Sequence, residues 1–167
     1  MLQRTEKGNG LILSKSIKMN TSLANMKGVS NGKVIDADKE YAVAEDYRKK
    51  LKTKCPSVEQ NVGNLSGGNQ QKVLLAKWMF TEPDILILDE PTRGIDVGAK
   101  YEIYCIINDL VAAGKSVIMI SSELPEVLGM SDRIYIMNEG KFVGEVGKEE
   151  ATSELIMSKI VKSGKGA

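Results

Sequence analysis

The sequence contains no histidine, and it has only two cysteines among 167 residues. Without histidine, both a His-based catalytic triad and a His-ligated metal site are excluded. Cys55 and Cys105 lie far apart in the sequence, so they do not form the paired spacing of a metal or redox motif. We therefore expect reduced cysteines and a cytosolic setting, where thiols rarely form disulfides.

An excess of charge of one sign and long apolar runs are also missing. The chain has 23 Lys and Arg against 22 Asp and Glu, giving a net charge of +1. Such a balance predicts neither a nucleic-acid partner nor a basic membrane patch. No apolar run approaches the roughly 18–20 residues needed to cross a bilayer. Any membrane role is therefore expected to depend on a partner protein.

Residues 64–73 read NLSGGNQQKV, in which a serine and two glycines precede a run with helical periodicity. The beginning of a helix collects N–H groups without intrahelical partners and a partial positive charge. Glycine lets the backbone of a ligand site approach closely, and a hydroxyl supplies a further donor. This segment therefore predicts a site for an anion, most often a phosphate.

The apolar pattern predicts an α/β chain in which a helical section precedes alternating strands and helices. Residues 85–88 (ILIL) and 116–120 (SVIMI) are continuous apolar runs, which indicate strands covered on both faces of a mostly parallel sheet. The residues around Asn138–Gly140 predict a turn between two further strands, and Gly114 is predicted to end a helix. The predicted helices span 38–51, 69–80, 97–113, 124–128 and 148–161, and the predicted strands span 85–88, 116–120, 133–137 and 141–145.

Two carboxylates, Asp89 and Glu90, follow the apolar run 85–88 directly. Ionised groups at the end of a buried strand are costly unless they serve a purpose, and ligands bind at the carboxyl ends of such strands. An NTPase needs an Asp there to hold Mg²⁺, directly or through water, and a Glu to polarise the attacking water. The alternative is a strand that runs into an N-capping Asp and a proline turn.

Taken together, LSGGNQQKV, ILILDEP and RGID resemble the ABC-type ATPases. The segments NQQKV, PTRGIDVGAK (residues 91–100) and ISSELPEVLGMSDRI (residues 120–134) are similar to the second ATP-binding half of the fused subunits that energise importers of monosaccharides such as ribose, galactose and xylose. The resemblance implies a partial P-loop-NTPase core of the ABC type with a mostly parallel sheet and a helical signature subdomain. Residues 1–167 would form part of one such domain, with the signature subdomain at 14–82 and the C-terminal part of the α/β core at 83–167.

In that family two ATP-binding domains meet head to tail, and each ATP lies between the P-loop of one domain and the signature segment of the other. The resemblance implies that Ser66, Gly67 and Gly68 grip the γ-phosphate held by the opposing domain. Asn69 stands where many relatives have glutamine, and it is assigned to the same nucleotide contact. We expect Ser66 and Gly68 to face solvent when the domain is alone. A plain helix cap is the alternative role for Ser66.

The resemblance also assigns the second motif. Asp89 would hold Mg²⁺, Glu90 would act on the attacking water, and Asp96 would reach across the dimer interface to couple the two ATP sites. Ser122 occupies the place where many relatives have a histidine that contacts the γ-phosphate and the glutamate. Serine donates one hydrogen bond without carrying charge, so this site is expected to stabilise the transition state less.

A P-loop, G-x-x-x-x-G-K-[ST], is missing from the sequence. Residues 114–116 read GKS, but Asp109 stands at the first glycine position, and a predicted helix precedes this segment where a strand is needed. The resemblance therefore implies the C-terminal two-thirds of an ATP-binding domain, beginning after the P-loop region. A truncated sequence and a broken or split gene are both compatible with this expectation.

The implied function is ATP binding and hydrolysis in a sugar importer at the cytoplasmic face of the cell membrane, as a peripheral component. The implied partners are a second ATP-binding domain (in cis or in trans), transmembrane permease subunits and, indirectly, a periplasmic or extracellular sugar-binding protein. A catalytically incompetent fragment that donates its signature segment or aids assembly is the alternative. A chromosome-organising ABC machine is disfavoured, because residues 14–65 are too short for heptad arms. A ribosome-acting ABC ATPase would need a distinctive linker between its domains.

Overall fold

The computed structural model describes residues 10–164 of the chain, and its contacts divide the chain into two compact units, Met1–Ile120 and Ser121–Ala167. Residues 1–9 and 165–167 of the predicted domain lie outside the described residues. The predicted subdomain boundary after residue 82 stays a prediction. The elements of the first unit are α1 (Ile17–Ser22), β1 (Ser30–Asn31), β2 (Val34–Ile35), α2 (Ala37–Lys50), α3 (Gly67–Met79), β3 (Ile85–Asp89), α4 (Val97–Ala112) and β4 (Ser116–Ile120). Those of the second are α5 (Leu124–Met130), β5 (Arg133–Asn138), β6 (Lys141–Gly147) and α6 (Ser153–Gly164).

The helical part of the first unit packs α1 against both α2 and α3. Helix α2 begins where the Asp36 carboxylate accepts hydrogen bonds from two backbone N–H groups, as an N-cap does. Helix α1 is short and polar, and its sequence alone did not predict it. It is held by buried Asn20, whose amide both donates to and accepts from the backbone of Ile12. The apolar core of this part contains Ile17, Ala44, Val58, Val62, Leu65 and Val73.

Strands β3 and β4 pair in parallel, with Ile85 opposite Ser116 and Asp89 opposite Ile120. The α/β fold class is confirmed, although the described residues contain one parallel pair of strands and two antiparallel pairs. The prediction that both strands are covered on both faces is wrong. Leu86 and Leu88 are buried, whereas Ile85 and Ile118 are 57% and 52% exposed. A continuous apolar run shows that burial of both faces is favourable, but within the described residues the face with Ile85, Ile87 and Ile118 is covered only in part.

Helix α4 ends one residue before the predicted position, at Ala112. Gly114 has a φ of 84°, the left-handed conformation that glycine adopts without steric cost, and its N–H donates to the Val111 carbonyl. The prediction that Gly114 ends this helix is confirmed. The GKS sequence therefore follows a helix and leads into β4, which is the reverse of the order in a P-loop.

The second unit combines the antiparallel β5–β6 hairpin with α5 and α6. Helix α6 begins at Ser153 rather than at the predicted residue 148, because the Thr152 hydroxyl accepts from the Leu155 N–H and starts the helix there. Residues 148–150 form a short 3-10 turn instead. Ile156 is buried and Ile160 is partly buried against the hairpin, as predicted.

Candidate functional site

Ser66 lies at the N-cap of α3, with Gly67 as the first helical residue. Its backbone is extended, as expected for a cap, but its side chain makes no capping hydrogen bond to the helix. The Ser66 hydroxyl instead accepts a hydrogen bond from the Asn69 amide, at 2.9 Å from Nδ2 to Oγ. Ser66 and Gly67 are exposed. A plain helix cap, the alternative role for Ser66, does not account for this geometry.

Gly68 is buried, which corrects the expectation that it faces solvent like Ser66. A Cβ added to Gly68 would lie 2.5 Å from the Cβ of Ala99 on α4. Carbon atoms cannot approach so closely, so only glycine allows α3 and α4 to pack at this distance. The second glycine of the motif thus has a structural reason of its own, apart from any ligand.

The beginning of α3 contacts the loop that leads into α4. A Cβ on Gly67 would lie 3.5 Å from Cγ2 of Ile95 and 3.8 Å from the Gly94 carbonyl oxygen. Gly94 has a φ of 73°, which suits glycine in this tight turn. The structure therefore brings the Ser66–Gly68 segment beside the loop that carries Asp96, although the two motifs are separated by a helix and a strand.

Asp96 is the N-cap of α4, and its Oδ1 accepts a hydrogen bond from the Ala99 N–H at 2.9 Å. The residue is exposed. A capping aspartate stabilises the helix both through this hydrogen bond and through the helix dipole. Capping also fixes the position of the carboxylate at the same exposed edge as Ser66. The predicted role of Asp96 across a dimer interface stays a prediction.

Asp89 and Glu90 lie at the carboxyl end of β3, and both are half-buried. The Glu90 N–H donates to the Ile120 carbonyl at 2.8 Å, which extends the parallel pairing beyond Asp89. Glu90 has a φ of 49°, a left-handed conformation that is uncommon for residues other than glycine. Such strain is found at functional sites, where surrounding structure holds a residue in place. Here the hydrogen bond to β4 holds it.

The Asp89 carboxylate could supply one ligand to a divalent cation, but not a complete set of protein ligands. Within residues 10–164, no group of three or more His, Cys, Asp or Glu side chains is arranged to hold a metal ion. Mg²⁺ is commonly bound by one or two carboxylates, with water and substrate phosphates completing its six ligands. A single carboxylate at the end of a strand fits that arrangement, in which the nucleotide supplies further ligands.

Ser122 is exposed and follows the end of β4. The preceding residue, Ser121, accepts a hydrogen bond from the Glu123 N–H at 3.0 Å, which shapes the turn into α5. Ser122 belongs to the second compact unit and Glu90 to the first. The predicted joint action of Ser122 and Glu90 stays a prediction.

Lys72 is a residue of this region that sequence reasoning missed. Its side chain is buried in α3, and its ammonium donates to the Lys52 carbonyl at 3.0 Å and pairs with Glu102 of α4 at 2.8 Å. This hydrogen bond from Lys72 holds the pKa of the Glu102 carboxyl below its usual range. Helical spacing places Lys72 on the buried stripe of Leu75 and Met79, which was the available signal.

Replacing Lys72 with methionine is expected to destabilise the chain by about 1–3 kcal/mol, because the Lys52 carbonyl loses its donor and Glu102 loses its ion-pair partner. The matched control is Lys115→Met, which removes an ion pair with Asp84, a residue whose side chain is 97% exposed. That change should cost less than about 1 kcal/mol. Urea unfolding followed by the fluorescence of Trp78, the only tryptophan, measures both. Equal shifts of the two midpoints would show that burial of Lys72 does not matter.

The ion pair between Lys72 and Glu102 predicts that the stability of the fold depends on pH in the acid range. Because the pKa of Glu102 is lowered in the folded chain, its pairing with Lys72 stabilises the fold above the ordinary glutamate range. This contribution is lost as pH falls from about 4.3 through the folded pKa. The Lys72→Met variant should therefore lose less of its remaining stability over that range than the unmodified chain does.

Comparison with known proteins places these features in a family. A family model described as "ABC transporter" matches residues 3–93. The L-arabinose transport ATP-binding protein AraG of Geobacillus stearothermophilus is 60% identical over 157 residues, which cover 94% of this chain and 31% of the relative. The ribose import ATP-binding protein RbsA of Clostridium tetani is 55% identical, over 93% of this chain and 31% of that protein. The chain thus spans about a third of the length of these curated relatives.

Solved structures agree on the fold. A nucleotide-free ATP-binding cassette from an ABC transporter has a TM-score of 0.74 and 24% identity, over 92% of this chain and 64% of that chain. A dimeric ATP-binding cassette in a post-hydrolysis state, bound to ADP and Pi, has a TM-score of 0.71 and 21% identity, over 83% of this chain and 59% of that one. At these identities the likeness concerns the fold alone.

Proposed function

Because this chain belongs to the ABC transporter family, we propose that it forms part of an ATP-binding and ATP-hydrolysing component that energises the import of a simple sugar. The observation that carries this proposal is the joint placement of Ser66, Gly67 and the Asp96 loop at one exposed edge, where the Ser66 hydroxyl does not cap its own helix. Relatives named for arabinose, ribose and xylose transport support sugar as the cargo class.

The α3 edge acts on a nucleotide held by a second ATP-binding domain, in cis or in trans. Ser66 donates a hydrogen bond from its hydroxyl to an oxygen of the γ-phosphate, and the first N–H groups of α3 add their partial positive charge. Gly67 keeps the backbone open to that phosphate, while Gly68 holds α3 against α4. Asp96, fixed by its capping bond, faces the opposing domain and couples the two ATP sites.

The carboxyl end of β3 acts on a different nucleotide, held by a P-loop within its own domain. Asp89 would hold Mg²⁺ through its carboxylate or an intervening water, and the bound ion would neutralise charge on the phosphates. Glu90 accepts a hydrogen bond from the attacking water and draws away its proton as the water adds. The hydrogen bond from the Glu90 N–H to β4 fixes the backbone from which this carboxylate projects. For Ser122 we propose one uncharged hydrogen bond to a γ-phosphate, at the position where many relatives have histidine.

The partners follow from this assignment. Within residues 10–164 no helix is long and apolar enough to cross a membrane. As part of the same proposal, transmembrane subunits supply the permease function, and a sugar-binding protein acts indirectly on the outer side. The component lies at the cytoplasmic face of the membrane as a peripheral subunit.

The 167-residue chain alone is expected neither to bind ATP tightly nor to hydrolyse it, because its sequence contains no P-loop. A chimera should restore both activities. In this chimera, the chain replaces the matching 31% of the G. stearothermophilus arabinose transport protein. ATP binding is measured by calorimetry, hydrolysis by phosphate release, and transport by arabinose uptake in a strain that lacks the relative.

Two outcomes would contradict the proposal in different ways. ATP turnover by the isolated chain that is unaffected by Glu90→Gln would show a second, unrelated catalytic site. A folded chimera that binds ATP but neither hydrolyses it nor supports uptake would favour the alternative, a fragment that acts only in assembly or as a donor of its signature segment.

A further inference from the structure

Asn69 is the third residue of α3, and both ends of its side-chain amide form hydrogen bonds. Its Oδ1 accepts a hydrogen bond from the backbone N–H of Lys54 at 2.8 Å. Its Nδ2 donates to the Ser66 hydroxyl at 2.9 Å. The amide thus connects the loop that follows α2 with the first turn of α3.

The orientation of this amide is fixed by chemistry. A backbone N–H can only donate, so the end of Asn69 that faces Lys54 must be the carbonyl oxygen. The opposite end is then the NH₂ group, which can only donate. Ser66 Oγ is therefore the acceptor in its bond with Asn69, and its own proton must point elsewhere.

The loop that contains Lys54 is itself held in place by a hydrogen bond from Lys72 of α3. Lys52 has a φ of 51°, and its carbonyl accepts from the buried ammonium of Lys72. Lys72 also pairs with Glu102, which ties this loop to α4 as well. The Lys54 N–H is thus held at a defined place with respect to α3. Its hydrogen bond orients the Asn69 amide, and the amide in turn donates to Ser66.

From this network we infer that Asn69 is a positioning residue for Ser66, rather than a direct contact of the nucleotide as its sequence position implies. By donating to Ser66 Oγ, Asn69 leaves the hydroxyl proton as the group that Ser66 offers to a phosphate oxygen. This inference rests on the proposed function of Ser66 at the γ-phosphate of an opposing domain. It assigns no ligand to Asn69 itself, whose Oδ1 and one of whose two Nδ2 hydrogens are taken up by Lys54 and Ser66.

The test uses the chimera with fluorescent dyes on its two ATP-binding halves, titrated with a non-hydrolysable ATP analogue to measure closure. Ser66→Ala should raise the analogue concentration for half-maximal closure by about 10- to 100-fold, as loss of a hydrogen bond to a charged group does. Asn69→Ala should raise it by about three- to tenfold. In the Ser66→Ala background, Asn69→Ala should add less than about twofold, because its effect acts through Ser66.

Two checks separate positioning from a loss of fold. Asn69→Leu keeps the volume of the side chain while removing both hydrogen bonds, and it should show the same coupling to Ser66 as Asn69→Ala. In the isolated chain, hydrogen exchange of the Lys54 amide should be faster in Asn69→Leu and unchanged in Ser66→Ala. Equal exchange rates in both variants would contradict the hydrogen bond on which the inference rests.

The outcomes distinguish this inference from the proposed function. If Ser66→Ala has no effect on closure, the proposed phosphate contact fails, and the role of Asn69 fails with it. If Ser66→Ala weakens closure but Asn69→Ala reduces it by the same factor in both backgrounds, Asn69 contacts the nucleotide directly, and only the positioning role is wrong. An Asn69→Ala variant that closes normally would also overturn the positioning role.

Discussion

Replacing Glu90 with glutamine in the chimera is expected to slow ATP hydrolysis by about 10²- to 10⁴-fold while ATP still binds. Glutamine keeps the size of the side chain but cannot take up a proton, so the attacking water loses its base. The strained backbone at Glu90 and its hydrogen bond to Ile120 are unaffected by the change. Phosphate release under saturating ATP measures the rate, and calorimetry measures binding.

The matched control is Glu139→Gln. Glu139 also has a left-handed backbone, with a φ of 48°, but it lies in the turn between β5 and β6. The same chemical change there should leave hydrolysis within about twofold of the unmodified chimera. If Glu90→Gln abolished ATP binding together with hydrolysis, Glu90 would be a structural residue, and the roles of Asp89 and Glu90 would need to be reassigned.

Replacing Ser66 with arginine is expected to leave the chimera folded and able to bind ATP, but open and inactive in transport. Ser66 is exposed and makes no capping bond, so a larger side chain costs the isolated domain little. In a closed pair of domains, however, the arginine occupies the space that the γ-phosphate needs. Closure by fluorescence, ATP binding by calorimetry and sugar uptake are measured side by side. A variant that still closes and transports would exclude the proposed phosphate contact.

A substitution at Gly68 cannot serve as a second test of the proposed contact with the γ-phosphate. Any Cβ at this position meets Ala99, so Gly68→Ala is expected to destabilise the isolated chain by about 1–3 kcal/mol, as overpacking does. Adding Ala99→Gly removes the opposing methyl group and should recover part of that loss. Thermal melts of the isolated chain measure both effects. A stable Gly68→Ala variant would show that α3 and α4 can separate at this point.

The sequence by itself determined the family, the order of most helices and strands, and which short motifs carry polar groups. These features depend on local information: hydrophobic period, turn residues such as Gly114, and motif letters such as LSGGN and DEP. Local signals were weaker for short elements. Helix α1 depends on the buried amide of Asn20, and the start of α6 depends on the Thr152 hydroxyl.

Only the tertiary structure decided what the motif residues contact. Gly68 is buried because α4 approaches α3 there, and the charge of Lys72 is buried because Glu102 and the Lys52 carbonyl meet it. Asn69 and Ser66 form a pair because a loop distant in sequence presents the Lys54 N–H. The exposed face of β3 and β4 likewise depends on which elements pack nearby. Hydrophobic period reports what a segment prefers, whereas burial and hydrogen bonding depend on partners that only folding brings together.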